Sequence, residues 1–163
     1  MVRATRRRAV ASLSAAAFVT ALARGTAAQT AVPDVEANKA VVRRLFDEVY
    51  NGGNIDALDE LLSSEFVGDD PNAAPGIEGY KQTQATVRTQ YEQFFRTFTW
   101  EMTDVAAEGS LVFVRMTFTG QQIADGKPDV TMQGFLEASL TDGKIARVWS
   151  LVDVASLTAQ LGG

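Results

Sequence analysis

An α+β fold is predicted, with helices in the first half of the mature chain and an antiparallel meander in the second. Three observations carry that prediction. Apolar residues recur at helical spacing from Val41 to about Phe95. From Thr97 the period becomes two, with Phe98, Trp100 and Met102 alternating against Thr97, Thr99, Glu101 and Thr103. The chain has 163 residues, 46% of them hydrophobic, which is enough for one packed core and short for two. Helices followed by consecutive strands place the helices on one face of a curled sheet.

Residues 1–28 read as an export signal. Arg3, Arg6, Arg7 and Arg8 form a positive start, and Ala9 to Ala23 is an Ala-rich apolar run of 15 residues. Thr26-Ala27-Ala28 supplies small residues before Gln29, which completes a secretory signal pattern. The run is too short to span a bilayer, which takes ~20 apolar residues. Thr5 to Val10 also resembles a twin-arginine signal, without the bulky residue preferred after the arginines. The alternative is an Arg/Ala tail from a misassigned start. The expectation is cleavage at or near Gln29, a secreted or periplasmic product, a linker over 29–36, and no membrane association after cleavage.

The domain is expected over 37–162. Asp34 can cap a first helix with Glu36 in its first turn. Val41, Val42, Leu45, Phe46, Val49 and Tyr50 share one face of it, and Gly52-Gly53 stops it. Asn54 caps a short second helix with Ile55, Leu58, Leu61 and Leu62 inward. Ser64 to Val67 is a short extended piece, ended by Gly68-Asp69-Asp70-Pro71, and residues 71–76 form a loop. A long third helix starts at about Glu78, with Tyr80, Val87, Tyr91, Phe94 and Phe95 on its apolar side. The strand from Thr97 turns at Glu108-Gly109-Ser110 into Leu111–Thr119. There Val112, Val114, Met116 and Phe118 face one way, and Leu111, Phe113, Arg115 and Thr117 the other. A third strand runs from about Val130 to Leu140, Asp142-Gly143 turns, and a fourth runs from Ile145 to Val152. Asp153 caps a last short helix containing Leu157.

Composition narrows the chemistry. With no Cys there are no disulfides, thiolate nucleophiles or Cys metal sites. With no His, the usual neutral-pH base and the commonest transition-metal ligand are missing. Any reaction must use carboxylates, Tyr, Lys, Arg, hydroxyls or water, and neither a metal nor a cofactor is called for. The first 28 residues hold five of the 15 basic residues and none of the 20 acids, so the remainder carries 10 basic against 20 acidic residues. A body that acidic repels phosphate backbones, which excludes nucleic acid as an expected partner.

Asn38 to Phe46, then Tyr50-Asn51-Gly52-Gly53-Asn54-Ile55-Asp56-Ala57-Leu58, resembles the opening of the SnoaL-like polyketide cyclases. Phe66 to Pro71, Gly76-Ile77-Glu78-Gly79, Val112 to Gly120, Asp142 to Ile145, Trp149 and Asp153 complete the pattern over residues 37–162. No one motif is specific; their order and spacing carry the resemblance. It implies a cystatin-like, nuclear-transport-factor-2-like cone, in which a curved antiparallel sheet packs on three N-terminal helices around a pocket. Members of that superfamily include cyclases, ketosteroid isomerases, epoxide hydrolases and non-enzymatic binders, so fold does not decide function. Several polar positions of the family are altered. Asp69, Gln121 or Gln122, and Val148 align with histidines, and Leu136 aligns with an acid used by catalytic relatives.

Asp70 is the candidate catalytic residue. The Asp70-Pro71 step resembles the one that carries the proton-shuttling base of ketosteroid isomerases, and a carboxylate raised in pKa by burial can abstract a proton next to a carbonyl. The competing reading is an Asx turn before proline. An enolate needs a donor, which Leu136 cannot be and Tyr50 can. Candidate ligand-binding residues are Tyr50, Asp69, Met116, Phe118, Gln122, Leu136 and Trp149, each with a structural alternative. Tyr50 and Trp149 can be core, Asp69 a solvated loop acid, and Gln122 a loop residue. By strand parity the sheet wall of the pocket is Val112, Val114, Met116, Phe118, Met132, Leu136 and Ala138. Such a wall suits a small apolar carbonyl or polycyclic compound. Phe113, Phe135 and Leu111 share the opposite parity and are expected to form a homodimer face. Two functions stay open: proton-transfer chemistry of cyclase or isomerase type, and non-catalytic binding on the same fold.

Overall fold

A computed structural model describes residues 34–68 and 74–162. The expected signal and Asp69-Asp70-Pro71 lie outside the described residues. Helix α1 (Val35–Arg44) starts where the Asp34 carboxylate accepts bonds from the N–H groups of Glu36 and Ala37, both at 3.1 Å. It does not run to Gly52 as one α-helix. From Leu45 to Asn51 the winding widens to a π-helix, and the Gly52 N–H reaches back five residues to the Asp47 carbonyl at 3.0 Å. A side chain at Gly52 would meet the carbonyl oxygens of Glu48 and Asp47 at 2.6 and 2.9 Å, so the wide turn needs glycine there. The turn settles which way Tyr50 and Asn51 point.

The second helix is shorter than expected. A 3₁₀ turn at Ile55–Ala57 passes into the single turn α2 (Leu58–Leu61), and the Asn54 side chain makes no cap bond. Leu62 is buried, but as the first residue of β1 (Leu62–Val67). Helix α3 (Gly76–Phe94) begins two residues before Glu78, and Phe95 opens β2 (Phe95–Glu108), leaving Phe94 exposed. Strands β3 (Leu111–Gln122), β4 (Val130–Thr141) and β5 (Lys144–Val152) follow, then α4 (Val154–Leu161), whose first turn is capped by Asp153 Oδ1 on the Ser156 N–H at 3.0 Å.

The sheet order is β1-β5-β4-β3-β2. The last four strands form the expected antiparallel meander, while β1 lies parallel to β5. The extended π turn and α1 cover one end of the inner face. Val42, Leu45, Phe46 and Val49 pack there on Val112, Val114, Ala138 and Ile145, all buried. Each such Leu, Val or Phe contributes roughly 1.5–3 kcal/mol by leaving water. A second cluster, of Phe95, Phe118, Val130, Met132 and Leu157, lies under α4. The inward stripe of β3 and β4 is therefore mostly core, and its middle alone is left to line a cavity. Among the described residues no helix is long and apolar enough to cross a membrane.

Two side-chain amides stand in for missing strands. Asn51 donates to the Trp100 carbonyl at 2.9 Å and accepts from its N–H at 2.8 Å, on the free edge of β2. Gln160 does the same to Thr131, at 2.7 and 3.0 Å, where β4 extends beyond β5. These groups satisfy backbone that would otherwise invite another strand.

Candidate functional site

Among the described residues, hollows lie both on the inner side of the sheet and on its outer face. The outer ones, about 250 and 340 Å³, are shallow grooves between Phe113, Phe135, Trp149 and Leu151. A cavity of about 190 Å³ lies beside Phe66, Gly68 and Pro75, at the ends of the undescribed segment. The cavity with convergent polar groups is the one of about 200 Å³ between α3 and the sheet. Tyr80, Gln84, Val87 and Tyr91 reach it from α3, and Tyr50 from the π turn. Trp100, Met116, Leu136, Ser150 and Val152 supply the sheet side.

The spacing on α3 explains its share. Positions 80, 84, 87 and 91 fall on one helical face, which the surface pattern shows as buried or half-buried. Tyr50 and Tyr80 meet hydroxyl to hydroxyl at 2.7 Å, and their rings pack edge-on or tilted against Phe46 and Phe66 at 5.1 and 5.0 Å. Trp100 is held by Asn51, and its indole lies 5.2 Å from the Phe118 ring. Tyr91 is wedged among Phe95, Phe98 and Phe118, and burial raises its phenol above the ordinary tyrosine pKa, which keeps the O–H at neutral pH. An adjoining void of about 20 Å³ continues past Gln84 and Tyr91 to Arg88 and Phe98. Arg88 is committed there: its Nε pairs with Glu92 at 2.9 Å, an Nη donates to the Asn51 carbonyl at 3.3 Å, and its guanidinium covers Phe98 at 5.3 Å.

The structure thus brings Tyr50, Met116 and Leu136 together at one cavity. Three other predicted lining residues are elsewhere. Phe118 has the inward parity but is wholly buried in the aromatic cluster, one layer behind the wall. Gln122 is buried at the end of β3, where its amide donates to the Pro128 carbonyl at 2.9 Å and closes the β3–β4 loop. Trp149 is neither cavity wall nor core. It is 45% exposed on the outer face, because a bulge at Ala146 shifts the parity of β5, so that Ile145 and then Val148 point inward. Asp69 and Asp70 lie outside the described residues, with Gly68 placed so that a Cβ on it would be 3.5 Å from the Tyr80 ring. The sequence places Tyr80 on the apolar side of α3 and no more. No local signal marks it, since its partner is 30 residues away.

The described residues hold no cluster of acidic side chains that could bind a metal ion. What the arrangement offers is an apolar, aromatic-walled slot with a phenol pair at one place on its rim. Phenols donate and accept, so the pair can hold a carbonyl or hydroxyl oxygen.

Comparison with known proteins agrees with this geometry. The profile of the SnoaL-like domain family matches residues 42–148. No curated protein matches the chain. Among solved structures, TsrD from Streptomyces laurentii is 24% identical, with a TM-score of 0.64 over 78% of this chain and 96% of its own. A protein assigned to the SnoaL-like polyketide cyclases from Jannaschia sp. CCS1 is 23% identical, with a TM-score of 0.64 over 80% and 95%. An epoxide hydrolase of the LEH-like type from M. tuberculosis is 16% identical, with a TM-score of 0.59 over 79% and 92%. These likenesses show the nuclear-transport-factor-2-like fold. The chain belongs to the SnoaL-like domain family.

Proposed function

We propose that the protein binds a small apolar carbonyl or polycyclic compound in the α3 cavity, with the Tyr50–Tyr80 pair on its oxygen. The observation that carries this is the hydroxyl pair at 2.7 Å, set in a cavity that Val87, Trp100, Met116, Leu136 and Val152 also line. The bond between the two phenols strengthens what the pair donates to a ligand oxygen. It supplies the donor an enolate needs, which Leu136 cannot give. Proton transfer of cyclase or isomerase type would then use Asp70 as base. Asp70 follows Gly68 by two places in the sequence, and a Cβ built on Gly68 would stand 3.5 Å from the Tyr80 ring.

A second reading is binding without catalysis. It is favoured by Leu136 and Val148, both apolar and 2% and 1% exposed, at positions where the resemblance implies an acid and a histidine. The test is exchange of the α-protons of 2-tetralone in deuterated buffer, followed by NMR. Asp70→Asn should slow exchange by roughly 10²-fold or more if the carboxylate is the base. Tyr50→Phe should slow it by a comparable factor through loss of the oxygen donor. Exchange untouched by Asp70→Asn removes Asp70 from the reaction, and tight binding without exchange leaves the binding reading.

Two further proposals concern context. The protein is exported and processed near Gln29, on the strength of the signal pattern. The outer face buries itself against a second copy: Phe113 and Phe135 are 44% and 55% exposed, beside Trp149 and Leu151.

A further inference from the structure

The α3 wall of the cavity is polar at two heights. Tyr80 stands in the first turns with Tyr50, Gln84 follows one turn on, and Tyr91 ends the row after Val87. At a rise of 1.5 Å per residue, Gln84 stands about 6 Å beyond Tyr80 along the helix axis, and Tyr91 lines the same small void as Tyr50.

Tyr91 is the anomaly. Its ring is 6.1, 5.4 and 4.9 Å from those of Phe95, Phe98 and Phe118, a setting in which phenylalanine would pack as well. Its hydroxyl makes no hydrogen bond with any described residue, and neither does the half-buried amide of Gln84. Neither group is sealed in the core, where among the described residues Ser63 Oγ is the buried side-chain atom without a partner, so the hydroxyl and the amide are open to water or to a ligand oxygen. Both line the main cavity and the small void that continues it. Arg88, the cation at that void, is neutralised by Glu92 and turned onto Phe98, so the far end does not select for an anion.

We infer that Gln84 and Tyr91 form a second polar subsite, for a neutral oxygen at the end of the ligand remote from its carbonyl. The compound is then a flat bicyclic or larger ketone with a distal hydroxyl or carbonyl group. The phenol donates to that oxygen, and the amide either donates to it or accepts from it. This rests on the assignment of Tyr50 and Tyr80 as the carbonyl site.

The experiment compares 2-tetralone with 6-hydroxy-2-tetralone by titration calorimetry on the full mature chain. The hydroxylated ketone should bind about 5- to 10-fold tighter, the usual size of a neutral hydrogen bond. Tyr91→Phe and Gln84→Leu should each shrink that preference, read within each variant as the ratio of its two ketone affinities. Tyr50→Phe should weaken both compounds alike. Equal affinity in the wild type, or a preference unchanged in both Tyr91→Phe and Gln84→Leu, overturns the second subsite alone. Failure of either ketone to bind, or indifference of both to Tyr50→Phe, overturns the carbonyl site and this inference with it.

Discussion

Replacing Asn51 by alanine should unfasten β2 from the helical layer. The side chain makes two hydrogen bonds to Trp100, at 2.9 and 2.8 Å, and β2 is the edge of the sheet, so no neighbouring strand takes them over. A backbone group left without its partner costs about 1–3 kcal/mol, less where water can reach it. Trp100 is half-buried, which puts the pair at about 2–4 kcal/mol. That is a large share of the roughly 5–15 kcal/mol that holds a domain together. Asn51→Asp separates the two bonds. The introduced carboxylate still accepts from the Trp100 N–H but faces the Trp100 carbonyl with lone pairs, and only its protonated form can donate. Folding therefore raises its pKa. The stability gained is full below the unfolded value and is lost as pH rises through the folded one. Urea denaturation of the mature protein, followed by circular dichroism at about pH 7 and pH 4, measures both. Relative to wild type, Asn51→Asp should recover at low pH while Asn51→Ala keeps its deficit. An alanine variant within about 0.5 kcal/mol of wild type would refute the argument, as would an aspartate deficit that ignores pH.

The other expectations follow from the outer face and the N-terminus. A homodimer should sediment at micromolar concentration, and Phe113→Asp should leave a folded monomer, since Phe113 is exposed and its loss opens no cavity; a wild type that stays monomeric refutes it. Exported protein should have an intact mass that starts at or near Gln29, and retention of Arg6 to Arg8 in exported material contradicts it.

Much of the fold was legible because its signals are local. The caps at Asp34 and Asp153 need only one side chain and the next turn, and both appear as read. The alternation Val112, Val114, Met116, Phe118 names the inner face of β3 without error. It cannot say which part of that face stays open. Val112 and Val114 are sealed by α1, and Phe118 by an aromatic cluster, because those layers cross the sheet at positions set by distant residues. Tyr50 was recognisable as a donor from its place at the end of a helix, but its pairing with Tyr80 depends on a π turn that repeating hydrophobicity does not reveal. Gln122 shows the same limit: a buried amide at a strand end serves whichever carbonyl the loop presents, here that of Pro128.

Trp149 makes the point in a form that can be tested. Strict alternation from Ile145 would send residues 147 and 149 inward with it. The extra residue Ala146 has no opposite number on β4, where Leu140 faces Ile145 and Ser139 faces Arg147. Beyond it the parity reverses: Val148 is 1% exposed and Trp149, opposite Glu137, stands outside. Phe113 is the other neighbour of Glu137, so Trp149 belongs to the proposed dimer face. With Trp100→Phe, Trp149 is the one remaining tryptophan, because the chain has two. Its emission should be that of a wet indole in dilute protein and should shift to shorter wavelength as concentration passes through dimerisation, and Phe113→Asp should abolish the shift. Short-wavelength emission at every dilution would return Trp149 to the core and refute the register. Long-wavelength emission at every concentration would keep the register and refute the dimer. The two claims rest on different facts, a single unpaired residue in β5 and an uncovered apolar face, and one fluorophore reads both.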